Sequence, residues 1–248
     1  MVILSMSKKE WFEDWFDTGY YHLLYQNRDE QEAERFIQNL LDHLNLPSGS
    51  KLLDLACGKG RHAKYLSEFG HNVLGVDLSP NSISLANKWS NERLRFQTHD
   101  MREVLKDEHF DAVFNLFTSF GYFDHESENK RVCDSISVML KPGATVLIDF
   151  MNASKVIQNL VPSESKIIDG ITFQIRRTYD GNHIFKYIDV TENNQVSHFM
   201  ERVQALKLSD FRSLLADKFE IVNTFGSYDL SPFDEATSDR LILQARLK

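Results

Sequence analysis

From residue 33 onward the apolar positions fall into alternating periodicities. Ala33, Phe36, Ile37, Leu40, Leu41 and Leu44 recur at helical spacing, and Pro47, Ser48 and Gly49 close that helix. Apolar runs then predict strands over 51–56, 72–76, 94–98, 110–116 and 144–150. Helices are predicted over 61–69, stopped by Gly70, then from Ser79 as N-cap with Pro80 in the first turn, and over 126–140 before the turn Lys141-Pro142-Gly143. Strands separated by helices in this way predict an α/β fold with a doubly wound, mostly parallel sheet covered on both faces.

After Asn152 the rhythm changes. Residues 166–177, 183–192 and 196–206 read as three strand-like runs joined by the turn signals Asp180-Gly181-Asn182 and Asn193-Asn194, which is the pattern of an antiparallel meander. A helix capped by Ser209 and strands over 220–224 and 241–246 finish the chain. Near the other end Trp11, Phe12, Trp15, Phe16, Tyr20, Tyr21 and Tyr25 crowd together around Gly19, too irregularly for one helix. The expected organisation is an N-terminal aromatic flap over 1–30, an α/β body built from 31–152 and 207–248, and an inserted antiparallel β lid over 153–206.

Composition narrows the chemistry. The 248 residues are 42% hydrophobic and 26% charged, the balance of a globular protein with a sizeable core. The net charge of −8 and the absence of basic runs longer than Lys8-Lys9 or Arg176-Arg177 speak against a nucleic-acid partner. Two cysteines, Cys57 and Cys133, make no disulfide framework, and nine histidines show no HxxxH spacing, so no metal site is expected. The start of the chain has too short an apolar run for a signal peptide, and no run suits a membrane span; a cytoplasmic protein, monomeric or homodimeric, is expected.

The most informative segment runs from Leu52 to Ala63: an apolar strand with Asp54 near its end, a loop with Gly58 and Gly60, then a helix. Glycines there let backbone approach a ligand and aim helix amides at it. The spacing also matches the dinucleotide pattern, so its neighbours decide. Asp54 would repel a pyrophosphate and attract a cation. Asp77 closes the second strand, where a carboxylate can accept from ribose hydroxyls, and Asp100-Met101 follows the third, where an acid can meet an adenine amino group and an apolar chain cover the ring. Acids at three successive strand ends suit a cationic nucleoside, S-adenosylmethionine, better than a dinucleotide.

Residues 52–60, Val76-Asp77-Leu78-Ser79, His99-Asp100-Met101-Arg102 and 110–122 together resemble the successive motifs of class I S-adenosylmethionine-dependent methyltransferases, over roughly residues 35 to 150. That resemblance implies a seven-stranded, mostly parallel sheet with an antiparallel last strand, whose final hairpin residues 220–246 would supply. The meander resembles the extra sheet in the branch that includes small-molecule and amino-sugar N-methyltransferases. Carried over by position, the glycine loop is Asp54, Ala56, Gly58 and Gly60, the ribose acid Asp77 with Leu78 beside the adenine, and the adenine-edge pair Asp100 and Met101. Asn115, Leu116 and Phe117 fall where the family lines the methyl-donor end. The chain departs from the family at Arg61-His62, where a third glycine or a threonine is frequent.

The reading is therefore a methyltransferase acting on a nitrogen or oxygen of a small-molecule acceptor, with S-adenosylhomocysteine as its product. Tyr21, with Tyr20 and Tyr25, is a candidate to pack on the sulfonium as part of the flap. His198 and Arg202 share one strand face, opposite Phe199, Glu201 and Val203, and they join Tyr122 as candidate catalytic residues if that face looks into the pocket. Cys57 reads as a small residue in a tight loop, without a base at fixed spacing. Two rivals remain: an NAD(P)-dependent oxidoreductase using the Gly58 loop, and a non-catalytic cofactor-binding protein of the same fold. The absence of a GxSxG elbow disfavours a hydrolase.

Overall fold

The computed structural model describes residues 11–26 and 30–248; residues 1–10 and 27–29 of the expected flap, Lys8-Lys9 among them, lie outside it. The aromatic stretch forms two short helices, α1 (Trp11–Phe16) and α2 (Gly19–Leu24), followed by α3 (Glu30–Leu44). Thr18 separates the first two because its backbone is extended and its Oγ1 accepts the Tyr21 amide at 3.1 Å, capping α2 afresh. The body then alternates as β1 (Lys51–Leu55), α4 (Arg61–Glu68), β2 (Asn72–Asp77), α5 (Pro80–Ala86), β3 (Leu94–Thr98), β4 (Phe110–Asn115), α6 (Glu126–Met139) and β5 (Leu140–Met151). Ser79 caps α5 by accepting the Ser82 amide at 2.9 Å, with Pro80 in the first turn.

After a short α7 (Ala153–Gln158) come β6 (Ser163–Ile168), β7 (Ile171–Tyr179), β8 (His183–Glu192) and β9 (Gln195–Gln204), a separate antiparallel sheet in chain order. α8 (Leu208–Leu215), β10 (Phe219–Phe225) and β11 (Arg240–Leu247) complete the main sheet, whose order is β10-β11-β5-β4-β1-β2-β3. Strands β1 to β5 pair in parallel, and β11 runs antiparallel to β5 and to β10. This is the mixed α/β fold with a second sheet that the periodicities predict.

Alternation distributes the core. Leu53, Leu55 and Val113 pack with Val132 and Ile136 of α6 and Phe211 of α8 on one side, while Leu52, Ala112 and Phe114 pack with Phe36, Ile37 and Leu40 of α3 and Ala63 and Leu66 of α4 on the other. A third cluster joins Trp15 of α1 to Phe173, Ile175, Ile188 and Val190 of the smaller sheet. The N-terminal helices are thus packed on the smaller sheet.

Three local expectations are corrected. The single run expected over 166–177 is two strands, because Asp169 and Gly170 both take left-handed backbone (φ 49° and 80°) and form a two-residue hairpin turn. The expected turn Lys141-Pro142-Gly143 lies inside β5, where pairing with β4 jumps from Phe110 opposite Leu140 to Ala112 opposite Thr145. Ser209 sits inside α8 rather than capping it; the cap position is Lys207, whose amide donates to Asp210 Oδ2 at 2.7 Å.

One buried ion pair shapes the carboxyl edge of the sheet. After β4 the chain turns through Phe117 and Thr118, both non-glycine residues with left-handed backbone (φ 64° and 57°), each a strain of about 1–3 kcal/mol. Asp149 of β5 holds them: its Oδ2 accepts the Phe117 amide at 2.9 Å and its carbonyl the Thr118 amide at 2.8 Å. Arg240 of β11 donates to Asp149 Oδ1 at 2.7 Å and to Thr118 Oγ1 at 3.0 Å. Replacing Asp149 by Ala strands the Arg240 charge and frees the strained turn, which costs about 3–5 kcal/mol and lowers the melting midpoint by roughly 6–20 °C. Differential scanning calorimetry checks this, with Asp217→Ala, in an exposed pair with Lys130, leaving the midpoint nearly unchanged.

Candidate active site

The loop between β1 and α4 turns tightly and lines a cavity. Ala56, Gly58 and Gly60 all take left-handed backbone, and the Gly60 amide closes the turn on the Cys57 carbonyl at 3.0 Å. The two glycines are needed for different reasons. A Cβ on Gly60 would meet the Phe96 ring at 2.5 Å, whereas one on Gly58 would meet nothing within 4 Å. Gly60 is thus required by packing, and Gly58 faces open space at the mouth of the site.

Beside the loop, Asp77 ends β2. Its Oδ2 accepts the Gly58 amide at 2.8 Å and its Oδ1 the Ser79 amide at 2.9 Å. Burial raises its pKa, partly offset by those amides. A carboxylate has about four acceptor positions, so capacity remains for a ligand hydroxyl on each oxygen. Asp100 is half-buried and gripped by Arg102, whose Nε lies 3.0 Å from both oxygens and whose Nη2 lies 2.7 Å from Oδ2. Burial opposes its charge, but the Arg102 hydrogen bonds and charge hold the carboxyl below its usual range.

These groups open on a cavity of about 620 Å³. Its floor takes in Ala56, Gly58, Asp77, Leu78, Asp100, Met101 and Phe117, together with Leu116, Thr118 and Ser119. Its roof is the smaller sheet, through Arg177, Ile184, Lys186, Glu201 and Val203, and a side wall is formed by Phe12, Phe16, Tyr21 and Tyr25 of the N-terminal segment with Tyr122. The rings interlock: Phe16 lies 4.9 Å from Tyr21 and 5.2 Å from Tyr122, and Tyr21 lies 5.0 Å from Tyr25.

Three residues expected at the cofactor stand behind the cavity wall. Gly60 packs on Phe96, and Asn115, fully buried, ties the ends of β4 and β1 by donating to the Leu55 carbonyl at 2.9 Å. Asp54 lies beneath the loop, 1% exposed, with Oδ2 buried and without a hydrogen-bond partner. Strand alternation puts it on the α4 side with Leu52 rather than toward the ligand path. Burial pushes its carboxyl up to about 7, against the Ala63 amide, which favours the charge.

The lid turns the other way from the expectation for catalysis. His198 is three-quarters exposed and bonded to Asp189 Oδ1 at 2.7 Å, and Arg202 is paired with Asp124; neither lines the cavity. The opposite face of β9 looks inward, with Glu201 and Val203. Glu201 Oε1 accepts from Trp15 Nε1 at 2.7 Å and Tyr25 Oη at 2.8 Å, and Lys186 donates to Tyr25 Oη at 2.5 Å. Burial raises the Tyr25 pKa and lowers that of Lys186. Lys186 carried a readable signal, since it stands in phase with Ile184, Ile188 and Val190 on β8 and so shares their inward face. Among the described residues no group of three or more His, Cys, Asp or Glu is placed to hold a metal ion, and no helix is long and apolar enough to cross a membrane.

Comparison with known proteins agrees with this geometry. Residues 52–143 match the model of a family described as a methyltransferase domain. The chain is 29% identical over 156 residues to a glycine/sarcosine N-methyltransferase of Parasynechococcus marenigrum (strain WH8102), covering 61% of this chain and 54% of that one. It is 34% identical over 104 residues to the dTDP-3-amino-3,4,6-trideoxy-alpha-D-glucopyranose N,N-dimethyltransferase of Streptomyces venezuelae, covering 42% and 43%. The chain thus spans about half the length of the curated relatives it matches. An S-adenosylmethionine-dependent methyltransferase from Clostridium acetobutylicum ATCC 824 superposes with a TM-score of 0.77 at 22% identity, over 92% of this chain and 96% of that one. Residues 52–143 thus match a methyltransferase domain, and the fold is one shared with S-adenosylmethionine-dependent methyltransferases of known structure.

Proposed function

We propose that the protein transfers the methyl group of S-adenosylmethionine to a nitrogen of a small-molecule acceptor enclosed beneath the lid. The observation that carries this reading is the single cavity that joins the glycine loop and the Asp77 and Asp100 strand ends to a walled chamber under the second sheet. At about 620 Å³ it lies within the ordinary range of ligand pockets, and sharing that volume with a nucleoside leaves room only for a compact acceptor.

The residues present suit the cofactor. Gly58 leaves space for it, Asp77 offers acceptors for ribose hydroxyls, Leu78 and Met101 offer apolar cover for the base, and Asp54 holds an unsatisfied oxygen beneath the loop. Bound there, S-adenosylmethionine supplies a methyl group activated by its positive sulfur. The protein's own part is alignment and exclusion of water: the Phe117-Thr118 turn forms the floor, and the N-terminal helices and lid close the chamber. Tyr122, Tyr21 and Phe16 present rings that tolerate a cation in the absence of water, which suits an amine becoming a methylammonium. The names of both curated relatives support nitrogen as the accepting atom. A neutral amine needs no general base, in keeping with the outward placement of His198 and Arg202. The oxidoreductase rival gains no support from the family match.

Thermal melting with S-adenosylhomocysteine and with NAD, each in large excess, tests the cofactor. At ~100 times its dissociation constant a ligand adds ~2.7 kcal/mol, so S-adenosylhomocysteine raises the midpoint by roughly 5–10 °C and NAD leaves it unmoved. In Asp77→Ala that rise largely disappears. A rise with NAD alone contradicts the reading.

Asp54 makes the binding depend on pH. A positive group bound above it favours the carboxylate, so binding lowers its pKa from about 7 and releases a proton. Affinity for S-adenosylmethionine therefore increases from pH 6 to pH 8, by up to about tenfold, the limit for one group of that pKa. Titration calorimetry on the wild type and Asp54→Asn isolates this contribution, which the variant lacks.

A further inference from the structure

We infer that the acceptor carries an oxyanion, a carboxylate or a phosphate group, and that Arg177 and Lys186 in the roof of the cavity bind it. This rests on the methyltransferase reading and names the substrate class that the lid selects. The starting observation is a register position: Arg177 of β7 stands directly opposite Lys186 of β8 in the antiparallel ladder. Both line the cavity, and both side chains are largely withdrawn from solvent. Like charges directly opposite each other destabilise a sheet, more so when water cannot screen them. The pairing calls for a negative partner.

The carboxylates on this face do not supply enough. Glu164 is paired with Arg177 and also faces Lys166 at 3.5 Å. Glu201 already accepts from the neutral donors Trp15 and Tyr25, and Lys186 reaches it only at 3.5 Å. Among the described residues, three cations, Lys166, Arg177 and Lys186, therefore share two carboxylates at this end of the inward face, the third, Glu192, lying at the far end of β8 against Tyr20, in a chain whose overall charge is −8. Burial of the ammonium and the neighbouring guanidinium both work against the charge on Lys186.

An oxyanion between the two would relieve the repulsion and gain charge-assisted hydrogen bonds from a planar guanidinium and a compact ammonium. The site also has polarity. Asp77 and Asp100 lie on the cavity floor, with Lys59 and Arg61 beside them at the glycine loop, while Arg177 and Lys186 lie in the roof. An acceptor anchored at the roof by its anion would present its other end toward the floor, where the methyl donor is held. The anion then sets both affinity and orientation.

The test uses the full chain saturated with S-adenosylhomocysteine. Its melting midpoint is titrated with acetate in one arm and inorganic phosphate in another, chloride being exchanged to hold ionic strength constant. We expect a saturable rise with at least one anion, and the arm that saturates at lower concentration distinguishes a carboxylate site from a phosphate site. In Arg177→Gln and in Lys186→Met the apparent affinity for that anion falls at least tenfold, while Arg176→Gln, on the opposite face of the same strand, retains it. If one of the two roof variants does not fold, the other carries the comparison. No saturable rise, or an equal rise in all variants, overturns the inference while leaving the methyltransferase reading intact. Failure of S-adenosylhomocysteine itself to bind overturns the reading beneath it.

Discussion

Parallel strands that end at one edge of a sheet release their chains into loops there, and the backbone groups of those loops need partners. In this protein buried polar side chains at the strand ends supply them. Asp77 at the end of β2 takes the amides of Gly58 and Ser79, Asn115 at the end of β4 donates to the carbonyl of Leu55, and Asp149 near the end of β5 takes the amide of Phe117. Buried polar groups of this kind are costly when unmatched and directional when matched. The result is a set of loops held in conformations that a free chain would rarely adopt, including left-handed backbone at Ala56, Phe117 and Thr118. The floor of the cavity is the visible side of that arrangement.

The roof is held differently. The second sheet meets the N-terminal helices through an aromatic cluster, and polar contacts then fix their alignment: Trp15 and Tyr25 on Glu201, and Tyr20 on Glu192 at 2.6 Å. Apolar packing supplies most of the adhesion, while the hydrogen bonds select one arrangement of the segment against the lid. Floor and roof together give a chamber whose chemistry differs between its ends. Acids at the strand ends suit a cationic nucleoside below, and the opposed cations of β7 and β8 suit an anion above.

Much of this was legible in the amino-acid order. The alternation of runs up to residue 150 yields the parallel sheet, and Asp77, Leu78, Asp100, Met101 and Phe117 do line the cavity. Asp54 is instructive because its residue type suggests a group facing a ligand, whereas its strand position, in phase with buried Leu52, turns it under α4. His198 and Arg202 show a different limit. Period-two alternation states which residues share a face, but tertiary packing decides which face meets the body, and the inward phase of β8 was the signal for it. The hairpin at Asp169-Gly170 was written in the sequence as a two-residue turn between isoleucines, and was hidden only by the strand character on both sides.

On this reading the glycine loop and the neighbouring strand ends, roofed by the second sheet and the N-terminal helices, form one ligand-binding chamber. Amide hydrogen exchange with and without S-adenosylhomocysteine reads this most directly, because protection by a bound ligand is resolved along the chain. Exchange should slow in peptides covering 56–62, 77–82, 99–101 and 116–119, with the α2 segment slowed alongside them. Unchanged exchange in those peptides, or protection confined to another part of the protein, would contradict it.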